Sequence, residues 1–239
     1  MKTVFKFSGI ITIFALIVLI SACEEDKKDT DGGMGGGGSN ITVSADTLKL
    51  AGKVFTLSQS LIGMPQFKEF KGNVALNSIS TGSGAITNGS LNFTIGEPDE
   101  YDLTPLSSSL DYYFYGYEDI SQDATEVSHF VINSLESESY DYYGPSLMKI
   151  EYTSTRVSME NVFFIYVDKP VKITASGYTE SDEGDQMTHL DINIQLTKGW
   201  NALSEKYEST MSGSKSSVSK LNKVSSSYTW LLSERDYDW

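Results

Sequence analysis

From residue 40 onward the chain falls into short runs in which apolar and polar residues alternate, separated by Gly, Pro, Asn, Asp and Ser. Alternation with a period of two is the mark of a strand with one dry and one wet face. ITVSADTLKL, KVFTLSQ and VALNSI come first, followed by AITNGSLNFTIG. The Asn88-Gly89 step in that last run tolerates the positive φ of a type I′ turn, which predicts a hairpin between residues 85–87 and 90–95. Residues 110–117 (LDYYFYGY) and 129–135 (HFVINSL) read as further extended runs, as does SLMKIEYTSTRV. NVFFIYVD at 161–168 is apolar almost throughout, which predicts a central strand buried on both faces. Lys169-Pro170 ends it, since proline donates no ladder hydrogen bond. Val171, Ile173 and Ala175 alternate after it, and so do Leu190, Ile192, Ile194 and Leu196.

No stretch of this body keeps a helical period for three turns; residues 118–127 and 202–211 come nearest and are short or weakly apolar. Residues 209–227, rich in Ser and Lys, read as a solvent-exposed polar loop or hairpin. Tyr228, Trp230 and Leu232 alternate as a final strand beyond it. Many strands with short turns predict an all-β fold over 41–239, an antiparallel β-sandwich of immunoglobulin-like or related topology, as one domain or two small β subdomains. A closed barrel is the other architecture this pattern allows.

The first forty residues follow other rules. Lys2 and Lys6 precede an apolar run at 10–20, IITIFALIVLI, which is too short to cross a hydrocarbon core of about 30 Å. A basic start, an apolar middle and a small-residue exit describe a secretory signal peptide over 1–22. Its exit, Ile20-Ser21-Ala22-Cys23, resembles the lipobox of bacterial lipoproteins. That resemblance implies cleavage before Cys23 and diacylglycerol on its sulfur, an anchor made stable by two or three acyl chains. Glu24-Glu25-Asp26-Lys27-Lys28-Asp29 resembles the acidic signal that sends Bacteroidota lipoproteins to the outer membrane, with the acids here directly behind the cysteine. It implies a lipid-anchored protein on the periplasmic or extracellular face. Residues 23–40 then form an acidic and Gly-rich tether, whose DGGMGGGGSN segment behaves as a coil spanning roughly 15–20 Å. In the body, NVFFIYVDKPVKITASG and LDINIQLTKGWNALSE resemble β-sandwich domains of uncharacterised Bacteroidota and spirochaete lipoproteins. That resemblance implies a sandwich and carries no catalytic residue.

Charge narrows the partners. The formal net charge is −14, and losing residues 1–22 removes Lys2 and Lys6 but no acid, leaving −16. No basic face is available for nucleic acid, and anionic lipid would repel the surface, so the membrane is reached through Cys23. The single cysteine forms no intramolecular disulfide.

Catalytic chemistry finds little foothold. His129 and His189 lie sixty residues apart, each beginning an apolar strand-like run, without HxH or HExxH spacing, so no metal or cofactor is expected. No GxSxG elbow occurs. The acidic turn at 182–185 suits solvent, with a weak calcium site as the alternative. Aromatic residues are the stronger signal. Tyr113, Tyr115 and Tyr117 in one run and Tyr140, Tyr142 and Tyr143 in another are the candidate recognition residues, since tyrosine buries area and keeps a hydrogen-bonding group. The expected function is a membrane-tethered lipoprotein that binds a glycan or an envelope protein, or supports the envelope, and is not an enzyme. The alternative is a tethered hydrolase acting on polysaccharide or another envelope substrate.

Overall fold

The computed structural model describes residues 39–59, 65–114, 117–139, 141–153, 155–182 and 185–234. The leader at 1–22, Cys23 and the tether up to residue 38 lie outside them. The strands begin with β1 (Asn40–Val43), β2 (Leu48–Gln59), β3 (Pro65–Glu69), β4 (Val74–Ala75), β5 (Ser83–Thr87) and β6 (Ser90–Ile95). A 3-10 turn at Glu100–Asp102 leads to β7 (Thr104–Pro105), then a second at Leu106–Ser108 and the single helical turn α1 (Leu110–Tyr113). Next come β8 (Glu118–Gln122), β9 (Ser128–Ile132), β10 (Ser146–Tyr152), β11 (Arg156–Val167) and β12 (Val171–Ser176). The chain continues through β13 (Thr179–Asp182), β14 (Asp185–His189), β15 (Ile192–Leu196), β16 (Gly199–Thr210), β17 (Gly213–Leu221) and β18 (Thr229–Leu232).

The fold is all-β. Fifteen strands form one long sheet along the path β13-β14-β17-β16-β11-β10-β18-β2-β6-β5-β4, with β1, β3, β7 and β9 paired at its sides. β15, β12 and β8 form a separate three-stranded sheet. Two pairings, β14 with β17 and β18 with β2, are parallel. The expectation of a purely antiparallel arrangement is corrected here, because parallel partners must be joined by long crossovers that local alternation does not reveal.

β11 organises the packing. Val162, Phe164 and Tyr166 enter one core with Leu48, Leu50, Phe93, Trp200 and Trp230. Phe163, Ile165 and Val167 enter a second with Val171, Ile173, Ile192, Ile194 and Leu196 of the small sheet. The near-continuous apolarity of 161–168 thus has its expected cause, a strand dry on both faces. At the 88–89 turn Asn88 and Gly89 take φ of 49° and 74°, and β5 and β6 close the hairpin in register around it.

Three segments differ from expectation. Residues 110–113 are helical rather than extended, because Leu110 and Phe114, four apart, both bury in the second core. Residues 118–122 and 199–210 are strands, the latter buried through its first half and half-wet through its second. The stretch 209–227, expected as a polar loop or hairpin, forms the hairpin: β17 pairs with β16 from Gly213 to Leu221, and its serines occupy a half-exposed sheet.

Candidate functional site

Both histidines sit in built surroundings. His129, second residue of β9, is fully buried. Its Nδ1 lies 2.8 Å from the Thr104 carbonyl oxygen, which can only accept, so Nδ1 carries the proton. Nε2 is then an acceptor, and the Tyr113 hydroxyl donates to it at 3.1 Å. The ring is held neutral, and burial pushes its pKa below the usual 6.5, partly opposed by the Thr104 contact. Tyr113 packs edge-on against His129 with centroids 5.3 Å apart, and Tyr112 packs edge-on against Tyr113 at 5.5 Å. Burial first, and Tyr112 second, raise the Tyr113 phenol above its ordinary value, so it stays a donor.

That anchored pair meets an open face. Tyr112 is 56% exposed and Tyr101, on the 3-10 turn just before β7, is fully exposed. β7 carries Thr104 onto His129, which brings the Tyr101 turn to the same end of the molecule as α1. Asp99, Glu100 and Asp111 are exposed around these tyrosines.

His189 ends β14, and its side chain is only 10% exposed. The parallel pairing of β14 with β17 sets it opposite Ser216, whose Oγ is 2.8 Å from Nδ1. Tyr178 stacks on the ring with centroids 5.0 Å apart at 23°, and Tyr117 meets it edge-on at 5.4 Å. Glu180 Oε1 stands 3.6 Å from Nε2, while the Tyr178 hydroxyl donates to Glu180 Oε2 at 3.1 Å. Neither Nε2 nor the buried Tyr117 hydroxyl closes a hydrogen bond. Ser216 comes near enough to the phenol to favour its ionised form, but burial outweighs this and raises the Tyr117 pKa, with a smaller push from Glu205. Desolvation likewise raises the Glu205 carboxyl, against the pull of His189. Gly177 makes the crossing possible, since a Cβ there would lie 2.0 Å from the His189 carbonyl oxygen.

The expected recognition residues therefore scatter. Tyr113 turns toward His129 and Tyr117 toward His189, because the α1 turn breaks the alternation that would have set them on one strand face. Tyr142 is half-buried beside Phe70, with centroids 5.6 Å apart, and Tyr143 is 40% exposed. Tyr115 and Tyr140 lie outside the described residues, as do the side chains of the acidic turn at 182–185. Tyr101, Tyr178, Glu180, Glu205 and Ser216 escaped sequence reasoning; Tyr112 lies in the tyrosine-rich run that carried the aromatic signal but was not among the recognition residues chosen from it. Among the described residues no three His, Cys, Asp or Glu side chains converge as metal ligands, and no helix is long and apolar enough to cross a membrane. No family model, curated protein or solved structure matches this chain.

Proposed function

We propose that this chain is a lipid-tethered recognition protein, not an enzyme, anchored through Cys23 at the outer membrane on its periplasmic or extracellular face. Its ligand in this reading is a glycan or an envelope protein, taken up on the Tyr101–Tyr112 face. The lipobox and the acids behind it support the tether. The observation that carries recognition is exposed Tyr112 packed edge-on against Tyr113, which is pinned to a fully buried histidine, with fully exposed Tyr101 three residues before the Thr104 that holds the same ring. Aromatic faces stack on sugar rings or protein side chains at little entropic cost when they are already held, and the flanking acids accept hydroxyl or amide donors. The same reading takes the fold as a β-sandwich elaborated by a third layer, supported by the two cores on opposite faces of β11. A glycan array and an envelope-fraction pull-down with the full chain test it. Tyr101→Ala with Tyr112→Ala is expected to weaken the retained ligand at least tenfold while leaving the melting temperature unchanged; retention at wild-type strength would remove its basis.

A tethered hydrolase is the second reading, favoured by the Ser216–His189 contact with Glu180 beyond it. Ser216 is 8% exposed within β17, and its carbonyl accepts from Leu190, so its hydroxyl has poor access to a substrate carbon. A fluorophosphonate probe is expected to leave Ser216 unlabelled, whereas labelling lost in His189→Gln would favour the hydrolase.

A further inference from the structure

Acidity is not spread evenly along this chain. Residues 72–148 contain twelve Asp and Glu and no Lys or Arg, so they hold −12 of the total −14. The Tyr101–Tyr112 face is built from the middle of that stretch. Glu100 directly precedes Tyr101 and Asp111 directly precedes Tyr112, and both acids are exposed, as is Asp99. Elsewhere the surface answers its acids with bases. Glu69 meets Lys53, Glu151 meets Lys149 and Arg156, and Glu208 meets Arg156 and Lys206. Among the described residues no acid of 72–148 enters an ion pair. Lys169 does reach the segment, but its Nζ donates to the Glu126 main-chain carbonyl at 2.9 Å.

Like charges gathered without bases of the protein's own repel one another, and the potential they create draws in a cationic partner. The exposed phenol rings narrow that partner further, since a guanidinium lies flat on an aromatic face and keeps its hydrogen bonds for carboxylates. An anionic glycan or a phosphate is repelled by the same acids. A neutral sugar uses the rings but leaves the charge unanswered. The face is also held in advance of binding: Tyr112 rests on Tyr113, which donates to buried His129, and Thr104 brings the Tyr101 turn to the same ring.

We propose that the Tyr101–Tyr112 face docks a basic, arginine-bearing segment of another polypeptide, with guanidinium groups stacked on the two rings and paired with Asp99, Glu100 and Asp111. The proposal rests on the tyrosine-face reading and narrows its ligand, through charge, to a protein.

The test is fluorescence anisotropy of a labelled (Gly-Arg)4 peptide titrated with the full chain at pH 7.5. Saturable binding is expected, about tenfold weaker at high than at low salt, about threefold weaker for (Gly-Lys)4, whose ammonium does not stack flat on a ring, and absent for (Gly-Gln)4. Tyr101→Ala with Tyr112→Ala is expected to weaken it about tenfold or more, and Glu100→Gln with Asp111→Asn about fivefold or more. These side chains are exposed, so the variants fold, which melting verifies. Glu151→Gln with Glu208→Gln makes the same change of charge at the far end of β11. Ser158 and Val167, the β11 partners of Glu208 and His129, are nine residues apart, about 30 Å. That control is expected to alter binding less than about twofold. Equal binding of (Gly-Gln)4, an unchanged affinity in the tyrosine variant, or equal losses in the two acid variants would each overturn the proposal. If the peptide fails while the array or pull-down retains a ligand through Tyr101 and Tyr112, the basic partner falls and the recognition reading stands. If nothing is retained through those tyrosines in any assay, both fall.

Discussion

At the scale of single residues, His129 shows how burial sets a protonation state. Its folded pKa lies below the ordinary 6.5, so the unfolded chain takes up a proton at a pH where the folded chain does not. The stability that depends on its neutral form is therefore complete above about pH 6.5 and is lost as the pH falls through the folded value. His129→Gln is expected to lower stability at pH 7.5 by removing the Thr104 and Tyr113 contacts, and to flatten the decline below pH 6.5. Urea melts at half-unit pH intervals measure both, and a variant with the wild-type slope would assign that slope to other groups. Glu205 has the opposite sign. Its raised pKa means the folded state resists ionisation, so it detracts from stability as the pH rises above the ordinary 4.5. Glu205→Gln is expected to raise the urea midpoint at pH 7 and leave it unchanged near pH 3. Neither histidine's role was legible in the sequence. The alternation sets each at the start of an apolar run; His129 is second in β9, but His189 closes β14 rather than opening β15, and the partners Thr104, Tyr113 and Ser216 arrive from distant segments.

Local period told most where a strand has one chemistry along its length. β11, with dry faces on both sides, and the Asn88-Gly89 hairpin were legible because each depends on neighbours in sequence. β16 was not, since its apolar first half and polar second half blur any single period, and β17 hides among serines because it lies on a half-wet margin. The α1 turn was hidden by its brevity, four residues against a background of strand-like tyrosines. Burial on β11 gives an element-scale prediction: Phe164→Ala, into the first core, is expected to cost about 3–5 kcal/mol. Exposed Glu118 on β8, changed to Ala, should cost less than about 0.5 kcal/mol. Denaturant melts with unchanged m-values check the pair. Gly177→Ala tests the connection between β12 and β13. Its methyl must push against the His189 backbone, so about 1–3 kcal/mol is expected to be lost, with the Tyr178–His189 stack disturbed in the ring resonances.

For the whole molecule, the anchor and the body obey different physics, and that difference decides the last experiment. The body owes its shape to two cores that share β11, so it should keep its melting behaviour without any lipid. The whole chain's charge of −14 gives the protein no attraction of its own for an anionic bilayer, and membrane residence in the proposed reading rests on acyl chains at Cys23 alone. One chain binds marginally, while two or three bind stably, because each buried methylene contributes about 0.8 kcal/mol. Cys23→Ala is therefore expected to abolish incorporation of an alkyne-tagged fatty acid, to block leader cleavage before residue 23, and to leave the body's melting curve unaltered. The leader would then be retained, so membrane pelleting alone cannot discriminate. A companion chain with a non-lipid signal peptide in place of residues 1–22 and Ala at 23 does: it should appear in the soluble envelope fraction. Membrane retention of that companion, without fatty-acid label, would mean the body itself holds the bilayer, and the tether would lose the role assigned to it.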